Sequence, residues 1–378
     1  MLWNKIPQNG HFPVRKIAGE AKLTNKIVDI IYRHYHYQAI ATNRQFNDAA
    51  REGKGNAMIS RRQTLALFGA AAAAAVLPAI KPARAAATEF RIGWQKNGVL
   101  ALAKRRGALE SRLADRGISL SWSEFTSGPP LLEALGAGAL DFGATGDVPP
   151  LFAQAAGGHL YYVGTYRGSP AGSAILVPKG SPIKTLEELK GKKVAFKRGS
   201  SAHNVTVKVL RKAGLTIDDV QPLDLAPPDA ASAFKNGSID AWSIWDPYLA
   251  IAESDPETRI LTTAEGIVPS YSYFLANQEF TDANAQVIVD VIDELGKVGK
   301  SAQGKLDDTV KELSEITGVP AEVTRVTLSR PGADLGAVTT ITDDAAAYQQ
   351  ALADEFYKLG IVPKPLTTGD IVWRPKAS

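Results

Sequence analysis

Cysteine is absent from all 378 residues. Disulfides, thiolate zinc sites, iron–sulfur clusters and cysteine nucleophiles are therefore excluded, and stability must come from packing, which a chain of this length can supply. Histidine is scarce, with five in all. His34 and His36 lie together near the amino end without further ligands, and His159 follows two glycines in a loop-like stretch, so no metal site and no cofactor is expected. A Gly-x-Ser-x-Gly elbow is missing as well, and Ser200 and His203, three apart, do not make a triad with Asp246 by spacing alone. Long apolar runs are also lacking. The alanine-rich stretch that ends at Ile80 is shorter than the ~20 residues of a spanning helix and is interrupted by Pro78.

The net charge of +4 suggests a basic protein, but the excess is confined to one end. The first 87 residues hold 13 Lys and Arg against 4 Asp and Glu, which leaves 30 basic and 35 acidic residues from Thr88 onward. An acidic body gives no footprint for nucleic acid. The basic end is ordered as a targeting segment: Ser60-Arg61-Arg62-Gln63-Thr64-Leu65, an apolar stretch to Ile80, then Ala83-Arg84-Ala85 as a small-residue cleavage site. The paired arginines before a weakly hydrophobic run resemble a twin-arginine signal over residues 58–87, which predicts export to the periplasm and a mature protein that does not span the membrane. Met58 opens this signal, so residues 1–57 are expected to be a spurious or disordered upstream extension.

From Glu89 the chain alternates strand-like and helix-like stretches, with strands expected near Phe90, Leu120, Leu140 and Leu160 and helices over Leu100 to Arg116, Pro129 to Leu135 and Pro149 to Ala156. The same rhythm restarts after Ala174 to Pro178, with a helix expected over Ala202 to Ala213 between strands near Val194 and Val220. Long helical patterns close the chain: Asp282 to Gln303, Leu306 to Thr317 and Asp343 to Leu359. Repeated βα units predict mostly parallel sheets covered on both faces. Two α/β lobes are expected, lobe I from residues 88–176 and 270–378 and lobe II from 177–269, joined by two crossings that form a hinge.

Three strand-to-helix turns stand out: Ser127-Gly128-Pro129-Pro130, Gly146-Asp147-Val148-Pro149-Pro150 and Gly199-Ser200-Ser201-Ala202-His203. A helix begins with unpaired N–H groups and a partial positive charge of about half a unit, so each such turn can hold an oxyanion without a formal cation. Singly, each reads equally as punctuation, and Ser200 and Ser201 as ordinary helix caps. Because open α/β sheets bind ligands at the carboxyl ends of their strands, all three could converge on one small anion. Around them, Gln95 can donate and accept at the floor of a cleft, and Lys96 is an attractor or merely solvated. His203 reads either as a ligand clamp or as a satisfied histidine, and Asp147 as a helix cap or the holder of a positive side chain. In Asp240-Ala241-Trp242-Ser243-Ile244-Trp245-Asp246-Pro247-Tyr248 the two tryptophans face opposite sides of a strand, so that one is core and the other a cleft wall, while Asp246 fixes the turn or locks the lobes.

These segments, together with Phe125 to Leu135 and Asp141-Phe142-Gly143-Ala144-Thr145, resemble the aliphatic sulfonate-binding proteins of ABC importers through nearly the whole body of the chain. The resemblance implies a type II periplasmic-binding-protein fold, an alkanesulfonate as ligand, a membrane permease with its ATPase as partners, monomeric action and no catalysis. Carried onto this sequence, it implies ligand contact at Gln95, Gly128, Pro129, Gly146, Asp147, Ser200, Ser201, His203, Trp242 and Asp246. Binding proteins for taurine, nitrate and thiamine precursors share the fold, so another small anion is the alternative guest. An enzyme family on this fold that makes a thiamine pyrimidine uses a cysteine-rich, iron-linked motif, from which a chain without cysteine departs. A hydrolase is the remaining alternative.

Overall fold

The computed structural model describes residues 87–375, so the upstream extension and nearly all of the expected signal segment lie outside the described residues. The body holds two five-stranded sheets. In the first, β1 (Glu89–Trp94), β2 (Ser119–Glu124), β3 (Phe142–Thr145), β4 (Leu160–Arg167) and β10 (Tyr271–Asn277) are arranged in the order β2-β1-β3-β10-β4. In the second, β5 (Ser173–Pro178), β6 (Lys193–Phe196), β7 (Gln221–Asp224), β8 (Ala241–Trp245) and β9 (Thr258–Thr263) are arranged in the order β7-β6-β8-β5-β9. The two orders match position for position. In each sheet the fourth strand alone runs against the rest, β10 between β3 and β4 and β5 between β8 and β9. These are the strands that follow the two crossings of the chain from one sheet to the other, and they make two α/β lobes joined by a two-crossing hinge. The first crossing lies between Arg167 and Ser173, so β5 belongs wholly to lobe II. This corrects the boundary expected after Leu176, which assigned four of the six residues of β5 to lobe I.

The helices are α1 (Gly98–Arg106), α2 (Ala108–Ala114), α3 (Gly128–Gly136), α4 (Val148–Ala155), α5 (Ser201–Lys212), α6 (Pro227–Lys235), α7 (Tyr248–Glu253), α8 (Gln278–Ala283), α9 (Ala285–Ala302), α10 (Leu306–Thr317), α11 (Ala321–Leu328) and α12 (Asp343–Lys358). The single helix expected from Leu100 to Arg116 is two, because Gly107 adopts a left-handed φ of 61° and closes α1 with its own N–H. Asn284 likewise separates α8 from α9 inside one apolar pattern.

Both sheets are buried on both faces, as parallel sheets require. Phe90, Ile92 and Phe142 pack against α1 and α9 on one face of the first sheet, and Tyr162, Tyr273 and Leu275 against α3 on the other. In the second sheet, Val194 and Phe196 meet Val205 and Val209 of α5, while Ala195 and Trp242 meet Phe234 of α6. The carboxyl ends of the parallel strands carry the turns into α1, α3, α4, α5 and α7. Layer and crossing order thus set the stage for one cleft.

Candidate functional site

A cavity of about 790 Å3 runs between the lobes and is lined from both. Its wall includes Gln95, Gly128, Gly146, Ser200, Ser201 and Asp246, six of the ten residues expected to touch a ligand. Close packing shows that the three singled-out turns meet. A Cβ on Gly128 would lie 2.6 Å from Pro149 Cγ and 3.1 Å from Thr145 Cβ, and a Cβ on Gly146 would lie 1.9 Å from Ser201 Oγ. Glycine fits both positions because side chains of the neighbouring turns occupy the space its own side chain would take. The starts of α3, α4 and α5 therefore face a common volume.

What each turn offers differs. In α3 and α4 prolines fill the second and third helical positions and carry no N–H, so Gly128 contributes the first-turn donor of α3 and Val148 that of α4. In α5 the Ser200 hydroxyl donates to Lys197 O at 2.7 Å and the Ser200 N–H is engaged with the same carbonyl, whereas the N–H groups of Ser201 and Ala202 meet no other group among the described residues. Two adjacent unclaimed amides open a 12-residue helix, and Ser201, which carries the first of them, lines the cavity. Gln95 anchors its amide nitrogen on Ala144 O at 3.1 Å, which leaves its carbonyl oxygen for the cavity.

Four expected contacts require correction. Pro129 follows Gly128 by 100° around α3 and does not line the cavity; Pro149 does. Trp242 is 2% exposed and packs on Phe234 in the lobe II core, 5.9 Å between ring centroids, so Trp245 is the cleft wall of the pair. His203 lies behind the α5 turn, stacked on Phe196 at 5.0 Å and edge-on to Phe356 at 5.6 Å. Burial, reinforced by the nearby charge of Arg198, lowers its pKa to about 4, so it is a neutral packing ring that does not reach the cavity. Asp147 also sits behind the wall and makes no side-chain cap bond to α4. Its Oδ2 instead accepts from Asn204 Nδ2 at 2.7 Å and from the Tyr348 hydroxyl at 2.8 Å, with no cation holding it among the described residues. Burial raises its pKa, opposed by the hydrogen bonds from Tyr348, Ser201 and Asn204.

Asp246 lines the cavity and ends β8. Arg330, between α11 and α12, donates to both of its oxygens at 2.9 and 3.0 Å, and Asp246 Oδ1 also accepts the Ala250 N–H of α7. The side chains are 10% and 11% exposed, so this is a buried two-pronged pair that ties lobe II to the carboxyl-terminal helices. Both expected roles have a contact: the Ala250 bond fixes the turn into α7, and the Arg330 pair joins the lobes.

A family model described as NMT1/THI5 like matches residues 113–297. An aliphatic sulfonates-binding protein of Escherichia coli strain K12 is 40% identical over 288 residues, 76% of this chain and 89% of that protein. A counterpart from Bacillus subtilis strain 168 is 34% identical over 75% of this chain and 85% of its own length. The chain belongs to the aliphatic sulfonate-binding protein family. The solved alkanesulfonate-binding protein of Xanthomonas axonopodis pv. citri, bound to MOPS, superposes with a TM-score of 0.73 at 39% identity, covering 77% of this chain and all of that one. The fold is that of the type II periplasmic binding proteins, and the relatives are binding proteins rather than enzymes.

Within this member of the sulfonate-binding family, sequence reasoning missed Arg167 and Arg330 among the wall residues and left Trp245 as one of two candidates for the cleft wall. Arg167 ends β4 beside the cavity; its guanidinium donates to the Tyr271 hydroxyl at 2.5 Å, lies 4.9 Å from that ring's centroid and has no carboxylate partner among the described residues. A cation thus faces the volume that backbone dipoles alone were expected to serve. The signal for Trp245 was present in the period-2 pairing with Trp242; Arg167 and Arg330 carry no local pattern that separates them from the other basic residues.

Proposed function

We propose that this protein is the solute-binding component of an ABC importer: it captures an aliphatic sulfonate between its lobes and delivers it, as a monomer, to a membrane permease and its ATPase for sulfur acquisition. Residues 58–87 then serve as a twin-arginine signal and the body acts in the periplasm. The observation that carries this reading is the meeting of the α3, α4 and α5 starts at one cavity, with the amides of Ser201 and Ala202 unclaimed.

A sulfonate spreads one charge over three oxygens. Ser201 and Ala202 amides, the Gly128 amide and the Arg167 guanidinium supply donors around it, and the indole of Trp245 and Leu100 supply apolar wall for the tail. Water excluded from such a space makes each dipole act more strongly, and swinging of lobes about two crossings opens and closes it. Names borne by relatives, which include a taurine-binding periplasmic protein of Escherichia coli at 24% identity, keep small aminosulfonates in the screen.

A thermal-shift series with alkanesulfonates, taurine, nitrate and sulfate esters, followed by a search for product, tests the reading. Alkanesulfonates should stabilise the protein by about 2.7 kcal/mol at a hundredfold excess over Kd and be recovered unchanged. Consumption of the ligand, or stabilisation by nitrate and not by any sulfonate, overturns it.

A further inference from the structure

Behind the anion-holding turns, a buried polar cluster joins the lobes and holds more acceptors than donors. Asn204 of α5, in lobe II, gives its amide N–H groups to Asp147 Oδ2 at 2.7 Å and to the Tyr348 hydroxyl at 3.0 Å, and Tyr348 donates to the same Oδ2 at 2.8 Å. Gln349 of α12 gives its amide N–H groups to Asp147 O at 2.6 Å and to the Tyr162 hydroxyl at 2.9 Å. Both amides have thus spent their donors. Asp147 Oδ1, Asn204 Oδ1 and Gln349 Oε1 are left without a hydrogen-bond partner among the described residues, and these three residues are each at most 3% exposed. Turning either amide over would set an oxygen against the Asp147 carboxylate or carbonyl, so the shortage is one of donors. None of the three oxygens has room for water against it, which leaves no place for a water or a metal ion. A proton needs no such room.

The surroundings favour the same answer. An ionised carboxylate buried without a cation is costly, and burial raises the Asp147 pKa above the ordinary 3.8. The titratable groups that face it are Tyr348 of α12, Tyr162 of β4 and Tyr273 of β10, all kept as neutral phenols by burial, and His203 of α5, whose pKa of about 4 keeps it neutral. Further along α5 and α12, Lys208 and Arg211 pair with Glu355, and the one acidic residue of α3, Glu133, is exposed. Asp147 follows Gly146 of the cavity wall, and Ser201 Oγ lies against that glycine. A sulfonate at the Ser201 amide therefore brings a second negative charge close to the carboxyl, and like charges disfavour the ionised form.

We propose that the protein takes up a proton when it binds its guest: as the lobes close on a sulfonate, Asp147 passes from a solvated carboxylate to a neutral carboxyl with its proton on Oδ1, the donor that the cluster lacks. The proton comes from solvent, and no bond to the guest is formed by it. Asp147 is then a positioning residue that acts through its bond to Asn204 of the other lobe. The inference rests on the sulfonate-binding reading and adds the regulation of that site by pH. Because the carboxyl pKa is higher in the closed form than in the open one, affinity is lowest at high pH, rises as pH falls through the closed-form value and levels only below the open-form value.

The test is calorimetric titration of the full chain with hexane-1-sulfonate, which stays ionised throughout, at intervals from about pH 7 to 5 in succinate and in imidazole, two sulfonate-free buffers of different ionisation enthalpy. The difference in heat between the buffers counts protons. Uptake should grow toward one proton per guest as pH falls, and affinity should rise by up to about tenfold per pH unit. Burial also raises the pKa of Asp246 at the cleft, opposed by its pairing with Arg330, so variants must assign the proton. Asp147→Asn should bind with no proton uptake and an affinity that is flat across the range. Tyr348→Phe, which removes a donor to the ionised carboxylate and keeps the ring stacked on Tyr271, should move the uptake to higher pH. Should Asp147→Asn fail to fold, the shift in Tyr348→Phe decides. Heats free of proton uptake in the unaltered protein, or uptake that persists in Asp147→Asn or stays in place in Tyr348→Phe, overturn the proposal and leave the sulfonate reading standing. Failure of every sulfonate to bind overturns that reading and the proposal with it.

Discussion

Gly146 shows how much can depend on the absence of one side chain. The Cβ of an alanine there would fall 1.9 Å from Ser201 Oγ on the opposite lobe, far inside contact distance, so Gly146→Ala forces the Ser201 hydroxyl out of its place at the start of α5. Overpacking of this kind costs about 1–3 kcal/mol. Because it acts across the cleft rather than within either core, we expect sulfonate affinity to fall tenfold or more while the unliganded protein remains folded. Calorimetry on the variant checks this, and unchanged affinity would refute the close approach. At this scale the sequence was informative where chemistry is local. Glycine after a strand and before a helix singled out Gly128 and Gly146, and both line the cavity. It was uninformative where tertiary placement decides. Trp242 and Trp245 were separable into two faces by strand period, yet which face was core depended on α6 packing Phe234 there. His203 followed a glycine-serine turn as a ligand would, but the helical rotation past Ser201 carried it among Phe152, Phe196 and Phe356.

Among the elements, α5 links the ligand to the fold. Its first turn lines the cavity, and the residues just beyond it pack against both lobes. Asn204 reaches Asp147 and Tyr348, Lys208 pairs with Glu355, and Arg211 meets Glu355 at 2.6 Å, all on α4 or α12 and their caps. His203 makes this packing sensitive to acid. Its pKa in the fold, about 4, lies below the ordinary 6.5, so the unfolded chain takes up the proton first as pH falls. Stability from this group is complete above pH 6.5 and declines between 6.5 and 4, by about 3 kcal/mol in total. Asp147 acts with the opposite sign, since its raised pKa means that its burial costs least once it is protonated. The difference between variants is therefore the clean readout. His203→Phe, which keeps the ring stack, should show a shallower loss of urea stability from pH 6.5 to 4 than the unaltered protein. Parallel curves for the two would contradict the placement of His203 as a buried neutral ring. The elements themselves were largely legible: α10 was expected over the residues it occupies, and α12 within one residue. The failures have physical causes. Apolar period continues across Gly107 and Asn284, but a left-handed φ at the first and a non-helical backbone at the second interrupt the hydrogen-bond ladder. The eight-residue α11, opened by Pro320, was too short to stand out by period.

For the molecule as a whole, the matching strand orders of the two sheets place two sets of strand ends face to face, and the antiparallel strands β5 and β10 are where the chain changes lobes. The βα rhythm disclosed the lobes because parallel sheets need crossover helices. It could not disclose that α10 and α11 line part of the cavity, since that depends on the docking of helices beside α1. Nor could it show the Asp246–Arg330 pair, whose members are 84 residues apart. The account as a whole claims that one elongated cavity holds one sulfonate by its head at the helix starts. Titration calorimetry of hexane-1-sulfonate into the full chain tests that claim most directly. The account predicts saturable one-to-one binding with a negative heat-capacity change from burial of the tail. Absence of saturable heat across a range of temperatures, with the protein demonstrably folded, would contradict it.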